Sequence, residues 1–191
     1  MIPTPILFLF VCLQQFTMGG LQNQVYSAVF GYLIAVSFGY VIGHSSPALP
    51  HMVIFQNNDA ASSWFGSIVN LGGILGSMLA GFFLQRHGRR TTMFAAAIPL
   101  LSGWAFIYMG TTVNILCTGR FLTGVGCSVA LVVAPLYIAE TASKDIRGML
   151  GSGIQLSIAF GILLVYALGL SFNWPELALI GAIIPILAVM V

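Results

Sequence analysis

Three side chains at helical spacing in one apolar stretch, Gln155, Ile158 and Ile162, carry the first chemistry that this sequence offers. At i, i+3 and i+7 they share one face of a helix. A primary amide brings two donors and an acceptor, and aliphatic neighbours cover C–H surface, a pairing that suits the hydroxyls and ring faces of a polyhydroxylated small molecule. The same amide would serve equally as an interhelical hydrogen bond, and spacing alone leaves both roles open. The second constellation is charged. Glu140, Lys144 and Arg147 fall in one short hydrophilic gap, and Arg86, Arg89 and Arg90 in another. A carboxylate at a helix C-terminus is opposed by the helix dipole, so Glu140 is expected to find a cationic partner among Arg89, Arg90 and Arg147. Arg120 lies inside apolar sequence, where a guanidinium is costly unless it snorkels outward or meets a partner; a structural role near the outer mouth is expected.

Catalytic arrangements are missing. Gly126-Cys127-Ser128 offers a nucleophile but no mid-membrane His or Asp to activate it, and His44, His51 and His87 lie in or near loops on opposite sides. The cysteines, Cys12, Cys117 and Cys127, lack paired spacing and read as small buried hydrophobes. Neither an enzyme nor a metal or other cofactor is expected, and nucleic acid is not an expected partner.

The elements that position these residues are set by composition. Charged residues make up 5% of the 191 and hydrophobic residues 59%, with a mean hydropathy of +1.02. Such a chain lacks the polar surface a soluble domain shows to water, so lipid is its solvent. Six apolar segments follow, roughly Val25 to Pro50, Ser63 to Leu84, Thr91 to Gly110, Val113 to Ala139, Met149 to Leu170 and Leu177 to Val191. The first five reach the roughly 20 residues a spanning helix needs, and the sixth runs off the end of the chain. Alternation suited to a barrel is lacking, so the predicted class is an all-α membrane protein. Gly72, Gly76 and Ala80 recur every fourth residue, with Gly73, Ser77 and Gly81 one position on, which predicts close approach by another helix. Pro47, Pro99, Pro135 and Pro185 interrupt or end segments and hint at a cavity.

Five of the six cations occupy the second and fourth gaps, which by the positive-inside rule are cytoplasmic together with the N-terminus. Residues 1–24 form a separate stub of unassigned role: its run Ile6 to Leu13 is too short to span and lacks the basic flank of a secretory signal.

Gly81-Phe-Phe-Leu-Gln85-Arg86-His-Gly88-Arg89-Arg90 resembles the loop between helices two and three of the major facilitator superfamily, with Gln85 where an acid is usual. A tight turn at Gly88 and paired guanidinium groups make physical sense there as a clamp on helix ends. Gly119-Arg120, Gly124 and Gly126, then Pro135-Leu-Tyr137-Ile-Ala-Glu140, Arg147-Gly148 and Gln155-Leu, in that order, are similar to helices four and five of the sugar porter family, with Ser143 where a proline is usual. Within it, Phe38-Gly39-Tyr40 followed by Gly43-His44-Ser45-Ser46-Pro47 resembles the class III facilitative hexose transporters and the insect trehalose transporters, though His44 stands where those relatives tend to carry an aromatic residue.

The resemblance implies that residues 25–191 are the N-terminal six-helix repeat of a twelve-helix sugar transporter, with a C-terminal half expected for activity. It implies a sugar, glucose or trehalose, as substrate, with Gln155, Ile158, Ile162 and Phe38 as contacts. It assigns Glu140, Arg147, Arg89 and Arg90 to a cytoplasmic gate. The implied location is a multi-pass position in the plasma membrane or an endosomal or lysosomal membrane. Proton-coupled members carry an aspartate after the Phe-Gly-Tyr; Val41 stands there, and uniport is the expected mechanism. The alternatives are a proton-coupled symporter and a truncated, non-transporting isoform or sugar sensor.

Overall fold

The computed structural model describes residues 20–55, 58–141 and 147–190, and the described residues are helical apart from short turns. Helix α1, Gly20–Gly43, runs into the four-residue α2, Ser45–Ala48, and two 3-10 turns at Leu49–His51 and Val53–Phe55. Helix α3, Asp59–Tyr108, is followed by α4, Val113–Thr141, α5, Arg147–Gly169, and α6, Trp174–Met190. The stub Ile6 to Leu13 lies outside the described residues.

Local sequence sets the boundaries. Asn58 precedes α3, and its side-chain oxygen accepts from the Ala61 amide at 3.1 Å while Asp59 places a charge in the first turn. Ahead of α6, the Glu176 carboxylate reaches back to the Asn173 amide at 2.9 Å and satisfies a donor at the helix start. Inside α3 the chain breaks at Gly88, whose φ of 77° lies in the left-handed region that glycine enters without a Cβ clash. The break divides α3 into two limbs, so the expected turn between segments two and three is a single-residue kink. With it, the described chain holds five stretches long and apolar enough to cross a membrane, Ala28–His51, Asp59–Arg89, Thr91–Tyr108, Val113–Glu140 and Gly148–Gly169, and the shorter Trp174–Ala188.

Packing is densest between α3 and α4, then between α1 and α5, while α6 lies across α3 and α1. A Cβ added at Gly72 would run into the Phe121 carbonyl, and one at Gly76 into the Val125 carbonyl, so these two positions let the backbones of α3 and α4 touch. Ala80 continues that row, fully buried. The parallel row does something else: nothing lies within 4 Å of a Cβ at Gly81, and Gly73 faces the Ser128 hydroxyl. Tyr40, Trp104, Ile107, Leu116 and Leu177 are buried between the helices, whereas Ile74, Met78, Phe82, Ile98, Leu156 and Leu163 cover the outside. That reversal of a soluble protein's surface is what contact with lipid requires. Of the four prolines, Pro185 borders a small apolar cleft with Phe30, Ile34 and Met93.

The two glycine rows are expected to respond differently to bulk. Gly76→Leu must push α3 off α4 and should cost about 1–3 kcal/mol, an overpacking penalty, whereas Gly81→Leu meets open space and should leave stability unchanged. Thermal unfolding of the two variants in one detergent checks the contrast.

Candidate functional site

Helix α5 is held against α1 by glycines on both sides of the contact. A Cβ at Gly39 would strike the Ile158 carbonyl, and one at Gly161 the Val36 carbonyl. The Tyr32 hydroxyl adds a hydrogen bond to the Leu150 carbonyl at 3.2 Å. This seating half-buries the two isoleucines: Ile158 packs near Ala35, Ile138 and Ile154, and Ile162 lies against Gly43. Gln155, one turn earlier, is exposed and makes no hydrogen bond among the described residues. Among the described residues its amide forms no interhelical hydrogen bond.

Phe38 is half-buried on α1 and faces a different neighbour. It borders a cavity of about 260 Å³ between α1, α3 and α4, whose polar lining comes from Asn70, Ser77 and Ser128. The Gly73 backbone and Cys127 form more of the wall. Asn70, Gly73 and Ser77 repeat the i, i+3, i+7 spacing of the α5 face. The Ser77 hydroxyl is taken by the Ile74 carbonyl at 2.8 Å, whereas the Asn70 amide and the Ser128 hydroxyl have no hydrogen-bond partner among the described residues. Gln155 does not line this cavity. The structure thus places Phe38 and Gln155 on two helices joined at Gly39, with polar groups on both sides of α1.

The charged groups lie at opposite ends. Beyond the kink at Gly88, Arg89 donates to one carboxylate oxygen of Glu140, from Nε at 3.1 Å and from Nη2 at 2.5 Å, with both side chains near 40% exposed. The side chains of Arg90 and Arg147 lie outside the described residues, so Arg89 is the partner the structure identifies. Arg120 is about 30 Å away along α4. It is fully buried and does not snorkel: Nη1 donates to the Val41 carbonyl at 2.7 Å, Nη2 to the Ser45 hydroxyl at 2.5 Å, and the guanidinium carbon lies 4.8 Å from the centre of the Phe65 ring. The same end holds Tyr40, whose hydroxyl donates to the Leu177 carbonyl at 2.8 Å and ties α1 to α6.

A family model described as "Sugar (and other) transporter" matches residues 7–188. The chain belongs to that family. It is 40% identical over 171 residues to the mouse protein named solute carrier family 2, facilitated glucose transporter member 8, covering 86% of this chain and 36% of that one. It is 35% identical over 172 residues to the facilitated trehalose transporter Tret1 of Culex quinquefasciatus, covering 86% and 33%. The chain thus spans about a third of the length of these relatives. Among solved structures, the proton:xylose symporter XylE of the major facilitator superfamily matches with a TM-score of 0.79 at 23% identity, over 90% of this chain and 44% of that one, and shows the shared fold. This is a multi-pass membrane protein of the sugar transporter family, whose members are transporters and not enzymes.

For a member of this family, Gln155, Phe38 and the charged motifs are legible from sequence, because each is a polar or aromatic group inside a recognisable pattern. Asn70 belongs to none of these motifs, and Ser128 enters only through Gly126-Cys127-Ser128, with no binding role. The signal for Asn70 lies in its i, i+3, i+7 spacing with Gly73 and Ser77, and spacing does not say which of two adjacent small-residue rows packs and which faces open space.

The Arg89–Glu140 pair is well exposed, and water screening limits what such a pair contributes. A double-mutant cycle of Arg89→Ala and Glu140→Gln should return a coupling of about 0.2–1 kcal/mol. Unfolding of the four variants checks it, and the coupling should shrink in high salt.

Proposed function

We propose that this chain is the N-terminal half of a facilitative sugar transporter that moves a hexose or trehalose down its gradient by alternating access. The observation that carries the reading is the Gln155 amide, exposed on a spanning helix and without a hydrogen-bond partner among the described residues. A polar group in that position is costly against lipid and useful against a ligand in a wet cavity between two repeats. In this reading Gln155 exchanges hydrogen bonds with sugar hydroxyls, Phe38 covers a C–H face, and Ile158 and Ile162 shape the wall beneath them. Asn70 and Ser128 offer further hydroxyl contacts on the far side of Phe38. A C-terminal six-helix half supplies the opposing wall.

The Arg89–Glu140 pair acts as the cytoplasmic latch, with Arg90 and Arg147 as further members, and the N-terminus is cytoplasmic in keeping with the basic gaps. A weak, exposed pair suits this work, since a latch must open in every cycle. Uniport is supported by the surroundings of Arg120. Its partners are a carbonyl and a hydroxyl, Val41 stands beside it, and the described acids Asp59, Glu140 and Glu176 are all exposed at helix ends. The two relatives at 40% and 35% identity are likewise named as facilitated transporters.

Two measurements test the proposal in a polypeptide that joins this chain to a C-terminal half and is reconstituted into liposomes. Sugar uptake should stop at equal inside and outside concentrations and be unaffected by a protonophore; accumulation that collapses with the proton gradient would overturn uniport. Gln155→Ala should weaken sugar binding by roughly 1–3 kcal/mol, the cost of an unpaired polar group, with unchanged thermal stability. A stability loss of about 0.6 kcal/mol, the average for a membrane interhelical hydrogen bond, with unchanged affinity would remove Gln155 from the site.

A further inference from the structure

His44 sits at the junction of α1 and α2, at the Arg120 end of the bundle, and it is completely buried. Its ring stands edge-on to Trp104 with centroids 5.1 Å apart, and 6.4 Å from the Tyr40 ring. Neither ring nitrogen has a hydrogen-bond partner among the described residues. The charge that acts on it is another cation, Arg120. That guanidinium is fixed by the Val41 carbonyl and the Ser45 hydroxyl, three positions before and one position after His44 on the same chain segment.

The groups around His44 leave a proton without compensation. Helix α4 contributes Arg120, with the thiols of Cys117 and Cys127 in its vicinity. The rings of Trp104 and Phe65 come from α3, and the Leu177 carbonyl of α6 is already taken by the Tyr40 hydroxyl. Asp59, Glu140 and Glu176, the acids among the described residues, are all exposed and outside this cluster. An imidazolium here would be a second buried cation beside the first, and an unpaired buried charge is not tolerated.

We propose that His44 is a proton-binding switch: only the neutral imidazole fits the packed junction, and uptake of a proton drives the α1–α2 segment away from Arg120 and Trp104. The sign follows from linkage. The proton binds the opened segment and not the packed one, so the packed state keeps its full stability above the ordinary imidazole range near 6.5 and weakens progressively below it, the opened-to-packed ratio rising by up to tenfold per pH unit. The inference rests on the packing around His44 and stands apart from the sugar-transport reading. If both hold, acid sets how readily this end opens without driving accumulation, because sugar movement does not itself require the proton.

Hydrogen–deuterium exchange of this chain in lipid nanodiscs, from pH 8 to 5.5, tests it. Exchange in residues 40–55, taken relative to the interior of α4 so that the intrinsic pH dependence cancels, should rise below about pH 6.5, approaching tenfold per unit. His44→Phe keeps the ring contact and should abolish the rise; His44→Gln should do the same and covers the case in which the larger ring misfolds. His51→Gln and His87→Gln, which alter exposed histidines, should keep it. A flat profile in the parent chain, a rise that survives removal of His44, or a rise lost with His51 or His87 would overturn the proposal.

Discussion

Helices in lipid gain nothing from burying apolar side chains against one another, because the lipid tails are as apolar as leucine. Their association depends on van der Waals contact and therefore on how closely two backbones approach. Everything else in this bundle rests on that constraint. Gly72 and Gly76 bring α3 against α4, and Gly39 and Gly161 bring α1 against α5. Residues that sequence separates widely then come together: Phe38 lines one cavity with Asn70 and Ser128, and Ile158 settles under Gly39. Each such contact leaves no room for a methyl group, so the bundle's shape is specified by missing side chains as much as by present ones.

The two ends of the bundle treat charge in opposite ways. At one end Arg89 and Glu140 meet in water, where the pair is weak and easily parted. At the other, Arg120 is removed from water altogether, with its two terminal nitrogens on neutral acceptors, an aromatic face beside the guanidinium, and Nε without a partner among the described residues. A guanidinium that binds the backbone of α1 from α4 pins those helices at this end. It also fills the surroundings of His44 with positive charge, so the imidazole belongs to the same electrostatic arrangement.

The polar groups that face the open side are few and spread over three helices. Gln155 comes from α5, Asn70 from α3 and Ser128 from α4, with Phe38 of α1 between them. None of these three polar side chains has a hydrogen-bond partner among the described residues. Unspent hydrogen-bonding capacity in a membrane bundle points to a polar ligand or a wet cavity. Mostly small neighbours, Gly73, Ser77 and Cys127, keep the space around Asn70 and Ser128 open.

Much of this was legible without coordinates. The helical class and the spanning segments follow from composition and segment length, and the family from the resemblance of the run from Gly119 to Gln155 to known sugar porter motifs, because hydropathy and motif order are properties of the chain itself. The pairing of Glu140 was legible as a need for a cation, since a carboxylate at a helix C-terminus requires one. Among the described side chains the cation that meets it is Arg89, the residue after the kink at Gly88, and that pairing depends on how α3 packs beside α4. Sequence also placed His44 near a loop, which is true of its position and misleading about its surroundings: burial depends on Trp104, Tyr40 and Arg120 arriving from elsewhere. The same holds for the two small-residue rows of α3. They differ by one position, or 100° around the helix, and only the neighbouring helix determines which row is contact and which is cavity.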